Sequence, residues 1–232
     1  MKEELKFLDE EIINSILQKT NSEDIKGLRI SSFPRLYKYL DEIEIEFIKK
    51  FSKLLKLNPR KYGFEKKFPN LIIIKNQKYN LEGEERIIGE QYLPVLVYIA
   101  FWKMNKAIDE EIGKKLLIAS GYRSPAYQTI LFLYYLKLHK FNFLRTTRGV
   151  AFPGDSEHED PVNTATDLMT IDGAPHNGMG FEKTEEYKWL TENANEFGFY
   201  LSYPRNNGNF MYEPWHWRWM GKINLLFNFQ RI

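Results

Sequence analysis

The chain is predicted to adopt an α+β fold, a small antiparallel sheet flanked by helices, with a helical extension at the N-terminus. Three observations predict it. Amphipathic helical spacing fills most of the first sixty residues. Short apolar runs of strand length then alternate with helices, but without the regular period of βαβ units. Near the C-terminus Trp215, Trp217 and Trp219 alternate with His216 and Arg218, the two-residue period of a strand with one aromatic and one polar face.

In the extension, Leu8, Ile12, Ile13, Ile16 and Leu17 fall at helical spacing. Residues 43–57 repeat the pattern with Phe47, Ile48, Phe51, Leu54 and Leu55, until Pro59 and Arg60-Lys61-Tyr62-Gly63 interrupt it. Residues 1–62 are therefore expected to be a helical appendage, and residues 63–232 the main domain. Residues 63–89 read as irregular apart from one strand, Leu71-Ile72-Ile73-Ile74. A helix is expected over 90–107 and a strand over 115–119. Ser124 suits an N-cap and Pro125 the first helical position, which starts a helix running to about Lys140. Residues 148–155 are rich in turn formers. Another helix is expected over 185–197, with Thr184 before it and Gly198 as its stop. Strands over 199–203 and 210–219 are expected to flank the turn Asn206-Asn207-Gly208-Asn209.

Composition narrows the chemistry. With 33 basic against 31 acidic side chains, the net charge of +2 implies no nucleic acid or other polyanion as partner. The absence of cysteine excludes disulfides, thiolate catalysis and cysteine metal sites, leaving imidazole and carboxylate as the strong ligands. Met1-Lys2-Glu3-Glu4-Leu5-Lys6 lacks the apolar stretch of a signal peptide, and the longest apolar run, over 93–102, is too short to span a bilayer. A soluble protein without a membrane span is expected; a leader removed beforehand would leave the same start, so the compartment stays open.

The four histidines are His139, His158, His176 and His216. His158 and Asp167, nine positions apart, could sit on two sides of one turn or hairpin, and His216 belongs to a different strand. Two imidazoles and a carboxylate make a three-ligand zinc set with a position left for water, and Glu213 stands nearby as a base. On a regular strand Glu213 and His216 would face opposite ways, but Pro214 cannot donate to a ladder, so a bend there could turn the carboxylate toward the metal. Spacing alone leaves metal-bound and metal-free readings open. His176 in a loop, Asp155 and Asp160 remain rival ligands, although Asp160 would need a sharp bend so close to His158. His139, in a helix rich in Leu, Tyr and Lys, reads as a boundary residue. Arg123, between a strand and a helix N-terminus, could grip a carboxylate or a developing oxyanion, or make a plain salt bridge.

In this order, Ser120-Gly121-Tyr122-Arg123-Ser124 with Tyr127-Gln128, Pro153-Gly154, Ser156-Glu157-His158, Ala165-Thr166-Asp167-Leu168, Trp189-Leu190 with Glu192-Asn193-Ala194, Phe197-Gly198-Phe199, Tyr203-Pro204 and Glu213-Pro214-Trp215-His216 with Arg218 resemble the D-Ala-D-Ala metallopeptidases of the VanY and VanX type, in the wider lysostaphin-like group. The likeness covers roughly residues 110–222, and the first sixty residues match no motif. The resemblance implies one Zn2+ ion held by His158, Asp167 and His216, Glu213 as catalytic base, and Arg123 polarising the scissile carbonyl or holding substrate. It implies supporting positions for Ser156 and Gln128. In the family the aspartate usually stands seven positions after the first histidine, with a glycine between them; here it stands nine positions after, and no glycine intervenes.

The implied activity is a D,D-carboxypeptidase acting on peptidoglycan stem peptides or other D-Ala-D-Ala-containing peptides. A D-Ala-D-Ala dipeptidase and a wall endopeptidase would use the same centre. A non-catalytic zinc-containing binding module and a metal-free binding protein are the alternatives from another class, and retention of both Glu213 and Arg123 speaks against them.

Overall fold

The computed structural model describes residues 9–21, 27–54 (backbone only at 54), 70–174, 180–206 and 210–221. Leu8, residues 55–63, His176 and residues 207–209, on which some expectations fall, lie outside the described residues. In chain order the helices and strands are α1 (Glu10–Lys19), α2 (Phe33–Leu36), α3 (Glu42–Leu54), β1 (Leu71–Ile74), β2 (Gln77–Leu81), β3 (Glu84–Ile88), β4 (Gln91–Pro94), α4 (Val95–Ile112), β5 (Leu116–Ser120), α5 (Pro125–Leu138), α6 (Phe143–Gly149), β6 (Ala165–Thr170), α7 (Glu185–Asn193), β7 (Phe199–Leu201) and β8 (His216–Trp219). Helices and small antiparallel sheets are mixed, as an α+β chain requires. They fall into two compact units, one drawn from residues 1–66 and 123–159, the other from 67–122 and 160–232.

In the first unit, Asp9 caps α1 by accepting the Glu11 and Ile12 N–H groups. Ile13 and Ile16, one helical turn apart, are fully buried. They share a core with Leu36 of α2, with Phe47, Ile48 and Phe51 of α3, and with Ile130, Phe132, Leu133 and Leu136 of α5. Phe132 stacks on Phe152 with ring centroids 4.7 Å apart and tilts against Phe51 at 5.8 Å. The Ser124 hydroxyl accepts the Tyr127 N–H at the start of α5, and Pro125 follows as the first helical residue, as the sequence predicts. The N-terminal helices thus bury their apolar faces together with α5.

In the second unit, a four-stranded antiparallel sheet runs β5-β6-β8-β7. Trp217 and Trp219 of β8 lie in the core beneath it with Leu116, Ile118, Leu168, Phe199 and the α4 residues Val97, Phe101, Met104 and Ile108, while Trp215 packs against that cluster half-buried. The shared aromatic face inferred from alternation is therefore core.

Four departures from the sequence reading matter most. Residues 77–88 form the hairpin β2–β3, closed by Glu82 and Gly83 with φ of 55° and 86°. Both strands are largely polar, so no buried face marks them in the sequence. Residues 91–94 pair with β1 as β4, which occupies the backbone groups a helix would need; α4 therefore starts at Val95 and runs on to Gly113, whose φ of 65° ends it. Asp167 lies on a full strand, β6, rather than on one side of a tight turn with His158. The last strand is only His216–Trp219, because the His216 N–H bonds back to the Glu213 carbonyl at 3.1 Å and bends the chain before it.

Candidate functional site

On the sheet, Asp167 of β6 and His216 of β8 are directly opposed in register. Opposed residues project to the same face, and Asp167 Oδ1 lies 3.0 Å from His216 Nδ1. Glu213 joins them through the bend anticipated at Pro214. Its N–H is held by the Tyr203 carbonyl at 3.1 Å, and its Oε2 comes within 3.6 Å of His216 Nδ1. The Trp217 indole N–H donates to the Pro214 carbonyl at 2.9 Å, so a core side chain secures the bend. The Tyr203 ring, 4.8 Å centroid to centroid from the imidazole, walls one side of His216.

In the helical unit, Arg123 leads into α5 and its N–H donates to the His158 carbonyl at 3.0 Å. His158 is buried in a short 3-10 turn, Glu157–Glu159. Glu159, also buried, accepts the Gly154 N–H on both carboxylate oxygens at 2.8 Å and the Ser156 N–H at 3.0 Å, folding the loop before His158 into a tight reversal. Gly154 sits at φ 95° there, a conformation that suits glycine alone. Burial pushes the Glu159 carboxyl up to about 8, against the pull of the two amides and Arg123 toward the anion. Ser156 is buried, and Gln128 on α5 donates its amide to the Ala151 carbonyl at 2.8 Å, tying down the same loop.

His158, Asp167 and His216 each offer a ligand atom, and these atoms all lie within 4.8 Å of one another. Two imidazoles and a carboxylate are a donor set that could hold a zinc ion. Among the described residues no other such group of three occurs, so Asp155 and Asp160 are not part of one. Asp160 instead pairs with Arg218 at 2.9 Å. His139 ends α5 with Nδ1 3.2 Å from the Thr146 hydroxyl, a structural contact. The structural parts of Glu159, Asp160 and the Trp217 indole escape a reading by motif, because each works through a backbone group that no residue pattern reveals.

No described helix is long and apolar enough to cross a membrane. A family model described as VanY, D-alanyl-D-alanine carboxypeptidase, matches residues 90–222, starting well before the Ser120 motif. YodJ of Bacillus subtilis (strain 168), whose name as a carboxypeptidase is provisional, is 28% identical over 213 residues, 88% of this chain and 75% of that protein. That match leaves unaligned a share of the chain smaller than the first sixty residues, so it reaches into the segment where no motif is recognisable. A D-alanyl-D-alanine carboxypeptidase of Enterococcus faecium is 44% identical over 161 residues, 64% of this chain but only 46% of its own length. Among solved structures, the LD-carboxypeptidase LdcB, described for its peptidoglycan recognition, has a TM-score of 0.52 at 30% identity, covering 68% of this chain and 72% of that one. Matched over more than half its length by that family model and sharing fold and sequence with LdcB, the chain is a peptidase and belongs to the VanY family of D-alanyl-D-alanine carboxypeptidases.

Proposed function

We propose that this chain is a zinc-dependent carboxypeptidase that removes the terminal D-alanine from peptidoglycan stem peptides ending in D-Ala-D-Ala. The observation that supports it most is the gathering of His158, Asp167 and His216, with the Glu213 carboxylate 3.6 Å from the His216 ring nitrogen. These three side chains would hold one Zn2+ ion, which when bound supplies Lewis acidity toward the peptide carbonyl and toward water.

The chain's own groups do the rest. Glu213 Oε2 takes a proton from the attacking water and returns it to the leaving amine nitrogen as the C–N bond breaks. The Tyr203 carbonyl and the Trp217–Pro214 contact keep that carboxylate beside the imidazole. The Arg123 guanidinium, at the head of α5, binds either the carbonyl oxygen as it gains charge or the terminal carboxylate. Ser156 lines the substrate side, and Gln128 supports it by fixing the Ala151 loop. Residues 63–232 form the catalytic portion in this reading. Residues 1–62 are a helical extension that braces α5, with which its helices share a core.

A second reading is favoured by LdcB, an LD-carboxypeptidase of the same fold: removal of D-alanine from an L,D bond in a tetrapeptide stem. Pentapeptide stem, tetrapeptide stem, free D-Ala-D-Ala and intact wall, assayed side by side, separate the activities. Release of D-alanine from the pentapeptide alone is the expected result. Cleavage of the tetrapeptide instead would move the assignment to L,D, and cleavage of the free dipeptide or of wall cross-links would move it to a dipeptidase or an endopeptidase.

A further inference from the structure

The connection from His158 to Asp167 has no glycine to turn on. Asp160 and Arg218 supply the turn instead. Asp160 Oδ1 accepts the Val162 and Asn163 N–H groups at 2.9 and 3.0 Å, closing an Asx turn. Its Oδ2 takes Arg218 Nη2 at 2.9 Å, and Arg218 Nε donates to the Asn163 carbonyl at 3.1 Å. One guanidinium therefore grips both ends of the turn 160–163. The two side chains are only 13% and 10% exposed, a burial that costs desolvation and makes stability alone a poor reason for an ion pair.

The position of Arg218 gives the pair a use. It lies two residues beyond His216 on β8, on the same face, and opposes Ala165 as His216 opposes Asp167. The β6–β8 ladder is short, with three opposed pairs, Ala165 with Arg218, Thr166 with Trp217 and Asp167 with His216. A slip of one residue there would carry Asp167 to the opposite face of the sheet. By holding the turn that feeds β6, Arg218 fixes the entry point of that strand and with it the register.

We propose that Arg218 and Asp160 are positioning residues for the metal centre, locking the β6–β8 register that sets Asp167 beside His216. This rests on the zinc reading above. In this chain a guanidinium on the His216-bearing strand anchors the turn that leads into β6.

The test uses the full chain, stripped of metal, with Zn2+ affinity measured by chelator competition alongside kcat, KM and the thermal midpoint of the metal-free protein. Arg218→Ala is expected to weaken zinc binding about tenfold or more, the range typical of residues that support ligands, and to lower kcat with KM little changed. Arg218→Lys should fall between, since one ammonium cannot serve Asp160 and the Asn163 carbonyl together. Asp160→Asn keeps an acceptor for the turn but loses the charge, and should also weaken zinc binding. These two milder variants carry the test if Arg218→Ala fails to fold. Wild-type zinc affinity in the variants, whatever their thermal midpoints, would overturn the positioning role alone. A wild-type protein that takes up no zinc would sink the metal reading, and this proposal with it.

Discussion

Glu213 reaches the His216 imidazole because the chain bends before the strand begins, with the His216 N–H returning to the Glu213 carbonyl. Replacing Glu213 by Gln removes the proton acceptor but little volume, so the variant should bind zinc as well as wild type while kcat falls by about 10²-fold or more. Metal analysis together with a D-alanine release assay checks both halves, and undiminished turnover would remove Glu213 from the mechanism. The bend itself is readable from Pro214, which has no N–H for a ladder. The clamp on it is not, because the Trp217 indole reads as one more member of an aromatic core row. Trp217→Phe keeps an aromatic ring but loses the pyrrole part of the indole and with it the donation to the Pro214 carbonyl. The lost hydrogen bond and the cavity together should cost about 1–3 kcal/mol in urea unfolding and lower kcat while zinc content is unchanged; full activity at full stability would show the bend to be self-sustaining.

At the scale of elements, periodicity works where one face is buried and the other wet. It locates α1, α3 and α7, the start of α5 and the tryptophan face of β8, since each carries a one-sided apolar pattern or a cap. It misses the β2–β3 hairpin, whose strands carry few apolar residues and are at most half-buried, and it places the start of α4 five residues early, because residues 91–94 belong to a strand paired with β1. Only the partner strand distinguishes these cases. The Gly121 that follows β5 is set by the same neighbour: a Cβ there would collide with the Tyr92 carbonyl of β4, which already accepts the Tyr122 N–H at 2.6 Å. Gly121→Ala is expected to destabilise the protein by about 1–3 kcal/mol, read as a lowered urea midpoint at unchanged slope. A variant as stable as wild type would mean that β4 moves aside freely.

For the whole molecule, the residues proposed to hold the metal are legible as residue types in order, and their gathering is not. His158 and Asp167 looked like two sides of one turn. Instead, one sits in a 3-10 turn shaped by Glu159 and the other on a strand whose register puts it opposite His216. The N-terminal helices were legible as helices with one apolar face each, but not the α5 surface that covers those faces, since amphipathicity states how much is buried and never against what. The proposed chemistry turns on the metal. Zinc content per chain, measured in protein purified without added zinc and compared with His216→Ala, tests it most directly. One zinc per wild-type chain and its loss in the variant are predicted; a wild type without zinc, or a variant that keeps a full equivalent, would contradict it.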